Sequence, residues 1–130
     1  AAKYPEYIAA LYLDAPVLNL LSWPLGLGES KFPSVDEFNR DIGTSLSDMI
    51  NYRNHPIDQK EKLLKSEIPI FLVCGGSDSV VPYSENGKLL SDYFREKGGN
   101  LSEILKPDCD HHPHGLDDLS PLIEFAKKYY

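Results

Sequence analysis

The sequence is poor in cysteine, tryptophan and methionine, with two, one and one respectively in 130 residues. Cys74 and Cys109 form no closely spaced pair, so neither a zinc finger nor a disulfide framework is expected, only two buried free thiols near the ends of neighbouring strands. Positive charge is also scarce. Thirteen Lys and Arg against twenty Asp and Glu give a formal charge of -7. A nucleic-acid surface needs clustered Lys and Arg to neutralise phosphates, and that class is excluded. No apolar run reaches the length of a membrane span, and none has the layout of a signal peptide. Internal repeats and low-complexity tracts are absent. What is present, 42% hydrophobic and 25% charged residues, predicts one soluble domain over residues 1–130 with a real core.

The chain opens on Ala1 rather than Met, and Ala1 to Tyr7 reads as the last turn of a helix stopped at Pro5. Ile8 to Leu13 is a short apolar run, the pattern of a strand buried on both faces, ending at Asp14-Ala-Pro16. Residues 17–33 are rich in Leu, Gly and Pro, carry Trp23, and read as a loop or excursion. Ser34 and Glu37 then have capping-box spacing for a helix with Val35, Phe38 and Ile42 on one side. Beyond Gly43, a continuation from Ser45 to about Tyr52 would bury Leu46, Met49 and Ile50, and Asp58 with Glu61 caps a further short helix through Lys65.

A regular alternation follows: a strand over Ile68 to Cys74, and a helix from about Ser84 to Lys97 with Leu89, Leu90, Tyr93 and Phe94 as its stripe. Gly98-Gly99 ends that helix, Leu101 to Lys106 is the next strand, and Ser120-Pro121 starts a last helix burying Leu122, Phe125 and Ala126. Alternating strands and helices predict an α/β fold, a three-stranded parallel sheet flanked by helices with right-handed crossovers.

In such sheets ligands gather beyond the carboxyl ends of the strands. Asp14, Asp78 and His111 each follow a strand, which puts them on one rim. A carboxylate beside a buried strand costs desolvation unless paired, and a histidine Nδ1–H is a natural partner. Asp78, in Gly75-Gly-Ser-Asp78, could instead cap its own turn. The loop Asp110-His111-His112-Pro113-His114-Gly115 offers three histidines. His111 is best placed to reach a neighbouring turn, while His112 and His114 shape the loop or point into the pocket. Asp108, Cys109 and Asp110 beside this run also suit a metal, but Pro113 stiffens it and adjacent histidines in extended chain point apart. No metal or cofactor is therefore expected.

A serine elbow is missing as well. Gly43-Thr-Ser45-Leu-Ser47 ends in Ser where the elbow has Gly and has no preceding strand, and Ser77 lies within the turn that carries Asp78. The oxyanion donors that accompany such an elbow are missing with it.

Three segments resemble the C-terminal half of an α/β-hydrolase of the serine esterase and prolyl-oligopeptidase-like group, which includes many carbohydrate esterases. They are Ala9-Ala-Leu-Tyr-Leu-Asp-Ala-Pro-Val17, Cys74-Gly-Gly-Ser-Asp78-Ser-Val-Val-Pro82 and Asp110-His-His-Pro-His-Gly-Leu116. The resemblance implies that the sheet corresponds to that fold's last three strands. It implies Asp78 as triad acid and His111 as general base, with Asp14 a second candidate acid. Trp23, His112, His114 and Asp14 would lie on the substrate side, and residues 17–58 would be the family's variable lid. The implied substrate is a small-molecule or carbohydrate ester, acetyl esters of polysaccharides included. One departure stands out: Asp110 occupies the place where the family usually has glycine.

The resemblance also implies that the helix ending near Glu6 follows a nucleophile outside these residues, so the chain alone would be inactive. The strand Ile8 to Leu13 would then have an open edge, and two copies would pair there into a homodimer. A non-enzymatic α/β binding module with an acidic rim, or a metal site on the histidine loop, are the competing readings.

Overall fold

Ile70, Phe71, Leu72, Val73 and Cys74 are each at most 4% exposed, and this unbroken apolar run is what the middle strand of a parallel sheet requires. The computed structural model describes residues 1–129. In it β1 (Leu11–Asp14), β2 (Ile70–Gly75) and β3 (Leu101–Lys106) form a parallel sheet in the order β1-β2-β3. The helices are α1 (Val35–Ile42), α2 (Leu46–Asn51), α3 (Lys60–Lys65), α4 (Gly87–Lys97) and α5 (Ser120–Lys127). The expected α/β class, with helices flanking three parallel strands, is the architecture found.

Alternation along β2 divides the core. Ile70 packs with Leu18, Leu90 and Phe94, joined by Leu63 and Leu64 of α3. Phe71 and Val73 face the other way, onto Phe125 of α5 with Leu116 and Leu122. The α4 helix runs between β2 and β3 and ends at Gly98, whose left-handed φ of 69° closes it. The register pairs Asp14 with Val73 and Gly75 with Lys106, so the three strands finish at one end of the sheet.

Several local expectations are corrected. Pro5 begins rather than stops a helical turn, a 3-10 turn over Pro5–Tyr7. That turn ties the Ile8 N–H to the Pro5 carbonyl, and the first cross-strand bond, from Leu11 N–H to Pro69, comes three residues later. β1 is accordingly shorter than Ile8 to Leu13, and it is not buried on both faces: as an edge strand it leaves Tyr12 41% exposed. The Ser34 side chain makes no cap bond to α1. The capping box lies instead at Ser45 and Asp48, at the start of α2. There only Met49 is buried and Leu46 and Ile50 stay exposed, because a helix of six residues presents a single turn to the core. Leu89 likewise faces out, and Ser91 takes the inward position on α4. Asp58 accepts from the His55 N–H, capping the 3-10 turn Pro56–Gln59 ahead of α3 rather than α3 itself. Leu119 precedes α5 at the N-cap, with Ser120 already helical, and Cys109 is half-buried rather than buried.

The excursion after β1 is clamped down by Asn86, 1% exposed, whose Oδ1 accepts from the Leu18 and Asn19 N–H groups at 2.9 Å each. Its Nδ2 donates to the Pro82 carbonyl at 3.1 Å. Further on, the Lys31 N–H and Ser30 hydroxyl donate to the Ser79 and Val80 carbonyls. The excursion is thereby held against the acid turn. No described helix is long and apolar enough to cross a membrane.

Candidate active site

Two glycines allow the acid turn and the histidine loop to touch. A Cβ on Gly75 would meet the Cys109 and Asp110 carbonyl oxygens at 2.5 and 2.6 Å, and one on Gly76 would meet the Pro107 carbonyl at 2.7 Å. With only hydrogen there, the two loops close backbone to backbone. Gly76 N–H donates to Lys106 at 2.8 Å, Ser77 N–H to Cys109 at 3.1 Å, and the Ser77 hydroxyl to Pro107 at 2.9 Å. Ser77 is thus spent in holding the loop.

Asp78 divides its two oxygens between two tasks. Oδ1 accepts from the Val80 and Val81 N–H groups at 2.9 and 2.7 Å, shaping its own turn. Oδ2 lies 2.9 Å from Nδ1 of His111. The Asp78 side chain is 2% exposed and that of His111 20%, so the carboxylate is enclosed while the imidazole reaches the surface. With Nδ1 facing Asp78, the second nitrogen of His111, Nε2, is left for a substrate or nucleophile.

Asp110 stands in a supporting place. Its Oδ1 accepts from the Ser79 N–H and from the His111 N–H, both at 2.7 Å, and the Ser79 hydroxyl contacts both oxygens at 2.9 Å. The Ser79 N–H, then the His111 N–H, hold its carboxyl below the usual value. It therefore serves as an anionic bracket between the acid turn and the start of the histidine loop.

Asp14 takes up the other end of the loop. Its Oδ2 accepts from the Gly115 N–H at 2.7 Å and from the Tyr12 hydroxyl at 3.0 Å, and its Oδ1 lies 3.5 Å from Nδ1 of His114. Burial, then the hydrogen bond to Asp14, pushes the Tyr12 hydroxyl up to about 12 and keeps it a donor. Asp14 is thus placed on His114 and the structure brings Asp78, not Asp14, to His111.

The expectation that adjacent histidines diverge is overturned. The three rings meet edge to face, His111–His112 at 5.0 Å, His111–His114 at 4.7 Å and His112–His114 at 4.6 Å between centroids. The segment is curled rather than extended. Lys106 Nζ collects the Pro113 and Gly115 carbonyls at 2.7 and 2.9 Å, and Gly115 adopts a φ of 75°. This turns His114 back toward His111.

Other candidates lie apart from this group. Trp23 donates through Nε1 to the Phe32 carbonyl and lines a groove with Leu20, Pro24, Phe38 and Ile42. Neither Asp78 nor any of the three loop histidines borders that groove. Ser45 uses its hydroxyl to cap α2. Burial, followed by the charges of Glu103 and Asp78, pushes the Cys74 thiol up to about 12, so it is no thiolate nucleophile near neutrality. Among the described residues, no serine hydroxyl is hydrogen-bonded to His111.

The roles of Gly75, Ser79 and Lys106 are not apparent from motif spacing. The paired Gly75-Gly76 after a buried strand is the signal that could have found the close approach of the loops. Comparison with protein-family models, with curated proteins and with solved structures returns no match.

Proposed function

We propose that this chain supplies the acid and the general base of a serine hydrolase acting on carboxylic esters, with the nucleophilic serine contributed by a segment outside these 130 residues. The observation that carries the reading is the 2.9 Å contact between enclosed Asp78 and the partly open His111. The acid's N–H clamps and the Asp110 bracket support it, since a catalytic imidazole must be held in one orientation. Three histidines splayed into solvent would have favoured a plain binding module; their convergence beside two carboxylates favours chemistry.

In the proposed reaction, Nε2 of His111 takes the serine proton as the serine oxygen attacks the ester carbonyl. Asp78 holds Nδ1–H and stabilises the imidazolium so formed. Nε2 then returns the proton to the leaving alkoxide, and water repeats the sequence on the acyl-enzyme. Resemblance to the carbohydrate-esterase group suggests acetyl esters of sugars as substrates, with His112 and His114 on the substrate side.

Without its nucleophile the chain is expected to hydrolyse p-nitrophenyl acetate no faster than free imidazole at equal concentration. Turnover above that background, lost in His111→Ala, would place a nucleophile within these residues and overturn the division of labour.

The same reading concerns β1, which among the described residues pairs only with β2. In the complete hydrolase its open side would receive the nucleophile-bearing strand. In the isolated chain two copies are expected to meet there, edge to edge. Light scattering at high concentration should return a dimer, and a monomer would count against this pairing.

A further inference from the structure

We infer that His111, His112 and His114 form a binding site for one zinc-like divalent cation, a site that shares His111 with the hydrolase reading but stands or falls on His112 and His114. One ring nitrogen from each histidine lies within 4.8 Å of the others. Tetrahedral zinc with Zn–N bonds of about 2.0–2.1 Å needs its nitrogens roughly 3.3 Å apart. His112 and His114 are exposed, so rotation of their side chains suffices to close that gap.

The surroundings are those of a metal site rather than of a chance cluster. Metal-bound histidines characteristically offer their second nitrogen to a carboxylate, which fixes the ring and raises its basicity. Two of these three already have that partner: Nδ1 of His111 is on Asp78 at 2.9 Å, and Nδ1 of His114 faces Asp14 at 3.5 Å. Each pairing leaves Nε2 for the ion. The backbone between them is fixed from both sides, by Lys106 on the Pro113 and Gly115 carbonyls and by Asp14 on the Gly115 N–H. Three neutral imidazoles with no ligating carboxylate select zinc, cobalt, nickel or copper over magnesium or calcium, which prefer oxygen. Three protein ligands leave a fourth position for water. The ion also takes the Nε2 that a nucleophilic serine would use, so loading the site blocks proton transfer by His111.

The test uses the chain dialysed against chelator and then titrated calorimetrically with Zn²⁺, with Co²⁺ followed in parallel by its visible absorption. One equivalent should bind per chain, with Mg²⁺ giving no saturable heat. His112→Ala and His114→Ala should each weaken binding at least about 100-fold, and Asp14→Asn about 10-fold, as loss of an outer-shell partner does. Because His112 and His114 are exposed, their variants should keep the parent circular dichroism. Absence of saturable Zn²⁺ binding, equal binding of Mg²⁺, or one-equivalent binding that survives in the His112→Ala/His114→Ala double variant would overturn the site. The triad reading is untouched by any of these results, since it does not require His112.

Discussion

In the complete hydrolase proposed above, replacing His111 by alanine is expected to lower kcat by about 10⁴-fold or more, and Asp78→Asn by about 10⁴-fold, measured on an aryl acetate at saturation. The two losses have different causes. On the proposed mechanism alanine removes the group that takes the serine proton. Asparagine keeps the shape of the acid, but it removes the negative charge that stabilises the imidazolium and no longer forces the proton onto Nδ1. Because the residues act as a unit, the double variant should be little worse than His111→Ala alone. His112→Ala and His114→Ala, whose rings are not hydrogen-bonded to Asp78, should keep kcat within about tenfold of the parent and act mainly on KM, since lost contacts that hold ground and transition state alike raise KM with kcat unchanged. Full activity in His111→Ala, with a large loss in His114→Ala, would transfer the base to the Asp14–His114 pair.

The second large effect is on folding. Asp78→Ala should destabilise the isolated chain by roughly 2–5 kcal/mol in urea unfolding, because truncation strands one buried and one part-buried donor at a cost of about 1–3 kcal/mol each. The donors are the Val80 and Val81 N–H groups, which share Oδ1. Asp78→Asn retains that oxygen and should cost well under half as much. This contrast separates the two tasks of the residue: alanine loses turn and relay, asparagine chiefly the relay. Equal destabilisation by both substitutions would mean that the charge, rather than the Oδ1 clamp, holds the turn together.

The regular half of the chain was legible in the sequence for physical reasons. β2 is buried on both faces and can tolerate only an apolar run, and β3 begins and ends where its Gly-Gly and Pro boundaries place it. Those two strands and α4 carry the end of the sheet on which Asp78 and His111 sit, so their juxtaposition could be anticipated from topology. The first half was harder to read. Val35, Phe38 and Ile42 have helical spacing, yet none is buried, and Ile42 is 62% exposed, because α1 packs over an excursion and not over the sheet. Ser34 and Glu37 have the right types at the right spacing, but the cap depends on the Ser34 side chain's orientation, which spacing does not determine.

At the site, the identity of the acid was legible and its double duty was not. Capping its own turn and orienting a histidine looked like alternatives, although a carboxylate has two oxygens and Asp78 uses one for each. The convergence of the histidines is not legible locally, because adjacent side chains diverge only in extended chain and Lys106, Gly115 and Asp14 curl this segment. Those contacts span up to 101 positions in sequence, beyond the reach of local pattern.

The central claim is that Asp78 fixes His111 as a base with its outer nitrogen bare. Long-range ¹H–¹⁵N correlation spectra of the ¹⁵N-labelled, metal-free chain near neutral pH read this directly. Neutral His111 is expected as the Nδ1–H tautomer, with an unprotonated Nε2, and that preference should be lost in Asp78→Ala. A neutral His111 carrying its proton on Nε2, or a tautomer balance unchanged by Asp78→Ala, would contradict it.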